Sequence, residues 1–267
     1  MPPRIIKSDF DHWFDNGIQP ETRVIYLGNI SHNDEADCDE DPGIHWNTAR
    51  RVIQSLHLLD TKSLRSKKDC PITIIMNSVG GDWSHGMAIY DAIRACKSHV
   101  TIINMSHARS MTSVILQAGD YRITAPSGYY MIHDGVTGGS DIPRTMINNM
   151  EYEKNVALPM MYNVYLDRLH EVEDGEPKVA VEYAAEVLNP KLPSWGKPIQ
   201  PRYGVKGIKL ETIEALCSRD TYFTASEMVK LNLADRILER GDLSGAFANN
   251  EMHGLPTGLA SLYDEDD

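Results

Sequence analysis

The chain has 267 residues, 42% of them hydrophobic, enough for one full core with extensions and ordinary for a globular domain. A formal net charge of -12 argues against nucleic acid or anionic membrane as main partners, because phosphate binding needs clustered cations. Cys38, Cys70, Cys96 and Cys217 are scattered without a CxxC pair, and no apolar run reaches the length of a signal peptide core or a membrane span. Reduced thiols in a cytoplasmic protein follow as the expectation, with neither a disulfide frame nor a metal site.

In chain order, residues 1–21 read as a mixed N-terminal arm in which Phe10, Trp13 and Phe14 could pack on a neighbour. Residues 33–41 form an acidic loop whose carboxylates lack the spacing and glycine of a calcium loop, so solvation explains them. Asp41-Pro42 opens a helix with Ala49, Val52, Ile53, Leu56 and Leu59 on one face. A strand at 72–77, a helix at 84–96, a strand at 100–104, a helix after Ser110 and strands at 121–125 and 129–132 make an alternating α/β core. Asp141-Ile142-Pro143 starts a long helical stretch through Met146, Ile147, Met150, Met161, Val164 and Leu169, which Pro159 should kink. Residues 178–188 read as helix, and Pro193, Pro198 and Pro201 make the following stretch a rigid loop. Residues 241–267, ending in Asp264-Glu265-Asp266-Asp267, read as a disordered acidic tail.

Acyl-transfer chemistry asks for a nucleophile, a base within reach of it, an acid that orients the base, and backbone N–H donors where negative charge develops. Ser110 sits at a strand-to-helix turn, where helix N–H groups and the helix dipole favour an anion. His133 closes the strand at 129–132, a usual place for a catalytic side chain in an α/β protein. Each residue alone also has a duller reading. Serine is a preferred helix cap, a single histidine is more often a satisfied partly buried residue, Asp220 fits a turn, and Gly80-Gly81 fits a tight bend.

The motifs together resemble the proteolytic subunits of Clp proteases. Residues 72–81, ending in Asn77-Ser78-Val79-Gly80-Gly81, and the run from Gly86 to Ile93 are similar to that family's apolar strand, Asn-Ser-Pro-Gly-Gly turn and Gly-Leu-Ala-Ile-Tyr-Asp helix. Ala108-Arg109-Ser110-Met111-Thr112-Ser113 resembles its nucleophile motif, Met131-Ile132-His133 its Met-Ile-His segment, and Ser218-Arg219-Asp220 its Arg-Asp register. The resemblance covers about residues 22–240, from an opening strand at 23–28 to a closing helix from Thr224. It implies Ser110 as nucleophile, His133 as base, Asp220 as third member, and Gly81 and Met111 as oxyanion donors, with Gly80 at the substrate; Arg109, a cation next to Ser110, could either line the substrate groove or point to solvent. It also implies a superhelix of β-β-α units shared with crotonases, a long handle helix, stacked homo-oligomeric rings, polypeptide substrates, an AAA+ unfoldase partner, and neither metal nor organic cofactor.

This chain departs from the family pattern at Val79 for proline, Arg109 for alanine, Thr112 for glycine, and Asp134-Gly135 for Gln-Pro. A surplus around residues 171–207, within a peptidase domain of 22–240, has no counterpart. Other readings are a viral head-maturation protease of the same fold, a crotonase-type acyl-CoA enzyme, or an inactive structural subunit. The last two would not require the ordered Ser110, His133 and Asp220. Signal peptide peptidases of related fold pair serine with lysine and carry membrane anchors.

Overall fold

The computed structural model describes residues 13, 16–28, 43–66, 70–136, 142–240 and 242–243. The expected acidic loop at 33–41 lies outside them, as do Phe10 and Phe14 of the arm and nearly all of the expected tail. The chain divides into two compact units, residues 1–128 with 236–267, and residues 129–235.

The first unit is built on a sheet of β1 (Ile18–Gln19), β2 (Val24–Gly28), β3 (Ile72–Ser78), β4 (Val100–Arg109), β5 (Tyr121–Thr124) and β10 (Arg236–Ile237), in the order β1-β2-β3-β4-β5-β10. Only the β1–β2 pair is antiparallel; β2 through β5 and β10 run parallel. Parallel strands are covered on both faces, which explains their unbroken apolar runs. Val24, Ile25, Leu27, Ile72, Ile74, Met76, Val100, Ile102 and Ile103 are accordingly buried. Helices α1 (Trp46–Ser66) and α2 (Trp83–Ala95) pack on each other, and α1 on β2. Trp13 meets Tyr26 of its own chain edge to face, 6.1 Å between ring centroids.

Two boundaries differ from the sequence expectation. Helix α1 starts at Trp46 rather than at Pro42, because Ile44 pairs with Gly81 in a parallel bridge. Strand β4 continues past Asn104 to Arg109: Met76 faces Asn104 but Ser78 faces Ala108, so Met105, Ser106 and His107 bulge opposite Asn77. The bulge carries the strand to the edge of the short helix α3 (Met111–Leu116), with Ser110 at the turn.

The second unit contains the antiparallel pair β6 (Tyr129–Ile132) and β9 (Thr221–Thr224), and a hairpin of β7 (Val172–Glu173) and β8 (Glu176–Pro177). Its helices are α4 (Pro143–Tyr152), α5 (Leu158–Leu169), α6 (Val181–Leu188), α7 (Leu210–Cys217) and α8 (Ala225–Lys230). The long helical stretch is interrupted as expected, by a π-helical segment over Glu153–Ala157 ahead of Pro159. Proline cannot donate and its ring crowds the carbonyl four residues back, so the wider turn opens there. Met161, Tyr162, Tyr165 and Leu169 are buried, whereas Ile142, Ile147, Met150, Tyr152, Val156 and Met160 are exposed. Met161 therefore belongs to the core. The 171–207 surplus is ordered: Asn189 receives Ile199 N–H at 2.7 Å and donates to its carbonyl at 3.2 Å, while Leu188 and Ile199 are buried.

This combination of a largely parallel sheet, helices and an antiparallel pair is the mixed α/β class expected from the sequence.

Candidate active site

Ser110 occupies φ 52° and ψ -128°, a backbone conformation that a residue with a side chain adopts only when its surroundings enforce it. It makes no side-chain cap bond to α3, so the cap reading of this serine is not met. Gly80 explains how the turn is held close. A Cβ built there would lie 2.7 Å from Arg109 O and from Ser110 Cβ, and 3.1 Å from Met111 N. Any side chain at position 80 would cover the Met111 amide.

Gly81 is held from the other side. Ile44 N–H donates to Gly80 O at 2.5 Å and Asp82 N–H donates to Ile44 O at 2.8 Å, so the bridge engages the groups flanking the Gly81 N–H. Both glycines have positive φ, 108° and 142°, and a Cβ on Gly81 would strike the Ile44 backbone at 2.4 Å. Asp82 then caps α2, accepting His85 N–H at 2.8 Å. On α2, a Cβ at Gly86 would fall 2.0 Å from Met111 Cγ, so that glycine makes room for the Met111 side chain. The first unit thus brings together Gly80, Gly81, Arg109, Ser110 and Met111. Arg109 is half-buried, and its Nε is enclosed without a hydrogen-bond partner among the described residues.

His133 and Asp220 lie 87 positions apart and belong to the second unit. Strand register closes the gap. Tyr130 faces Phe223, Met131 faces Tyr222 and Ile132 faces Thr221, so one step further sets His133 against Asp220. His133 Nδ1 lies 3.1 Å from Asp220 Oδ1. With the proton on Nδ1, donated to the carboxylate, Nε2 keeps the lone pair that a base needs. Tyr222 donates its hydroxyl to the other oxygen, Oδ2, at 3.3 Å.

The residue after the histidine is held twice. Asp134 N–H donates to Cys217 O at 2.7 Å, and Tyr162 of α5 donates its hydroxyl to Asp134 Oδ1 at 2.6 Å. Burial, then this hydrogen bond, pushes the Tyr162 phenol far up, so it stays a donor at any working pH. Burial also pushes up the Cys217 thiol, which removes it as a nucleophile.

Among the described residues no cluster of histidine, cysteine and carboxylates has the makings of a metal site, and no helix is long and apolar enough to cross a membrane.

A family model described as Clp protease matches residues 36–161. The chain is 27% identical over 244 residues to ATP-dependent Clp protease proteolytic subunit 3 of Synechococcus sp. (strain CC9605), covering 89% of this chain and 94% of that one. The chain is thus similar to proteolytic subunits of Clp proteases. It is also 33% identical over 140 residues to ATP-dependent Clp protease proteolytic subunit 3, chloroplastic, of Arabidopsis thaliana, covering 51% of this chain. That match spans 41% of the chloroplast relative's length. Against the Clp protease proteolytic subunit of Deinococcus radiodurans the identity is 37% over 92 residues, 34% of this chain and 43% of the relative.

Against the Clp pattern the chain differs at a few positions, and the structure gives several of these departures a role. Asp134, in place of glutamine, receives the Tyr162 hydroxyl. Thr112, in place of glycine, is buried and hydrogen-bonded beneath the Ser110 turn. Sequence reasoning missed Tyr162, Tyr222 and Asp134 as supports of the histidine and aspartate. The only signal for Asp134 was its place beside His133, and for Tyr222 its place two residues from Asp220. Tyr162 carried none.

Proposed function

We propose that the chain is the proteolytic subunit of an ATP-dependent Clp-type protease, a serine endopeptidase that hydrolyses peptide bonds of unfolded polypeptides inside an oligomeric chamber. The observation that carries this reading is the His133–Asp220 pair, in which Nδ1 is the nitrogen that faces the aspartate and which an inactive subunit has no need to keep. The peptidase domain is assigned to residues 22–240, with 171–207 an addition to it and 241–267 a tail.

In this reading Ser110 Oγ attacks the scissile carbonyl carbon while His133 Nε2 takes its proton. The tetrahedral oxyanion receives the N–H groups of Gly81 and Met111. His133 then passes its proton to the leaving amine, the C–N bond breaks, and a water repeats the sequence on the acyl-enzyme. Asp220 holds the imidazole in the tautomer this requires and stabilises the imidazolium. The chemistry calls for neither a metal nor an organic cofactor. ATP is spent by an AAA+ unfoldase that feeds the chamber.

Assembly into stacked rings is supported by the exposed Ile142, Ile147, Met150, Tyr152, Val156 and Met160 along the α4–α5 stretch, an apolar surface suited to burial against a second copy. The thiols of Cys96 and Cys217 are unpaired among the described residues, which supports a reducing compartment, and the cytoplasm is our assignment. The chloroplast relative makes the plastid the alternative.

Labelling of the purified protein with a small fluorophosphonate, mapped by mass spectrometry, tests the nucleophile. Modification of Ser110 alone is expected. Modification elsewhere, or none, overturns the assignment.

A further inference from the structure

The Ser110 backbone needs something to enforce it, and the surrounding hydrogen bonds identify the source. Thr112 is fully buried, 0% exposed. Its Oγ1 accepts the Arg109 N–H at 3.1 Å and lies 2.8 Å from Arg109 O and 3.0 Å from Ser78 O. The hydroxyl has one proton for these two carbonyls, and its lone pairs serve the amide. Ser113 also clamps the turn, its Oγ donating to Ser110 O at 2.6 Å, but that bond stays within one helical turn. The Thr112 hydroxyl instead reaches across to β3, at Ser78, two residues before Gly80.

We propose that Thr112 is a positioning residue: its hydroxyl ties the turn that carries Ser110 to the strand end that carries Gly80 and Gly81, and so sets the nucleophile against the oxyanion donors. The inference rests on reading Ser110 as the nucleophile. A β-branched side chain suits the task, because few χ1 rotamers are open to it once it is buried. Glycine, which the family pattern carries here, has no hydroxyl. In this chain the tie is supplied by the side chain.

Displacement of a reacting atom by about 1 Å costs on the order of 100-fold in rate without removing any catalytic group. Thr112→Val keeps the shape and removes the hydroxyl; Thr112→Ser keeps the hydroxyl. Three readouts are taken on each full-length variant: the second-order rate of Ser110 modification by a small fluorophosphonate, kcat and KM on one fluorogenic peptide, and thermal unfolding. For Thr112→Val we expect modification and kcat to fall together, about 10- to 100-fold, with KM within a few-fold. Thr112→Ser restores both to within about three-fold.

Wild-type modification rate and kcat in folded Thr112→Val overturn the proposal, whatever its melting temperature. So does a Thr112→Ser variant as slow as the valine. Should Thr112→Val not fold, Thr112→Ala is read by the same criteria. Failure of the underlying reading shows differently: the wild-type protein itself is then not modified at Ser110, and both conclusions fall together.

Discussion

Tyr162 donates its hydroxyl to Asp134 at 2.6 Å, and Asp134 directly follows His133 in the chain. A buried phenol on helix α5 therefore anchors the strand end on which the imidazole sits. Tyr162→Phe removes this donor and little else. Loss of a hydrogen bond to a charged group costs about 1.5–3 kcal/mol. The exposure of Asp134 places the expected loss at the lower end of that range. Thermal or urea unfolding measures it. Turnover should fall several-fold through the loosened histidine, whereas a mutant melting early but cleaving at the wild-type rate would assign the bond to stability alone.

The strained conformation of Ser110 separates stability from activity at one position. Ser110→Ala should abolish peptide cleavage, a loss on the order of thousands-fold if Ser110, His133 and Asp220 act as one unit. It should leave the fold intact, since Ser110 makes no cap bond to lose. Glycine in place of alanine ordinarily destabilises by about 0.5–1 kcal/mol. At φ 52° the order should vanish or reverse, because only glycine adopts that backbone freely. Urea titration of Ser110→Ala against Ser110→Gly decides it, and a glycine variant weaker by the ordinary margin would contradict the strain.

Arg109 holds a cation beside Ser110, with its Nε enclosed and unbonded among the described residues. A guanidinium so placed is expected to bias cleavage toward substrates that bring a carboxylate. Arg109→Ala should lower the rate on a glutamate-containing peptide relative to its glutamine counterpart, and leave fluorophosphonate modification of Ser110 nearly unchanged. Identical peptide preferences before and after the substitution would remove the arginine from the substrate groove.

Acid should weaken a specific node of the second unit. Burial raises the Glu171 carboxyl, but hydrogen bonds from Asn232, Arg168 and Lys178 outweigh it and bring the pKa down to about 2 from 4.5. The folded value lies below the unfolded one. The stabilisation is therefore complete above about pH 4.5 and is lost as pH falls toward 2. Unfolding free energies followed across that interval should fall less steeply for Glu171→Gln than for the wild type. Equal slopes would show that other carboxylates govern acid unfolding.

The exposed apolar residues of the α4–α5 stretch lead to an assembly prediction. Light scattering at micromolar concentration should give a mass many times the 30.0 kDa of one chain, and Ile147→Glu with Met150→Glu should shift it downward. An active wild-type monomer would sink the chamber.

Much of the sheet was legible because buried parallel strands leave unbroken apolar runs: β3 and β6 begin where the runs begin. The extension of β4 was not, since Ser106, His107 and Arg109 break the apolar pattern while the backbone still pairs through a bulge. Strand β9 escaped notice although Thr221, Tyr222, Phe223 and Thr224 are good strand formers. Four residues are too few for periodicity, and the pairing partner lies some ninety positions away. Ser110, His133 and Asp220 are singled out as candidates by motif resemblance, not by spacing, and the pairing of His133 with Asp220 is what the structure adds. The residues that hold them in place carried no comparable signature, because a hydrogen bond such as Tyr162 to Asp134 exists only once the chain has folded.

The β6–β9 register has a consequence for engineering. The distance from His133 to Asp220 is set by strand pairing next to both residues, not by the length of chain between them, so that chain is open to change. The hairpin turn at Asp174 and Gly175 is exposed, has positive φ at both residues, and leaves open space around Gly175. It is a natural port for grafting a foreign domain, such as a fluorescent reporter or an affinity handle, into the middle of the chain while the histidine and aspartate stay in register.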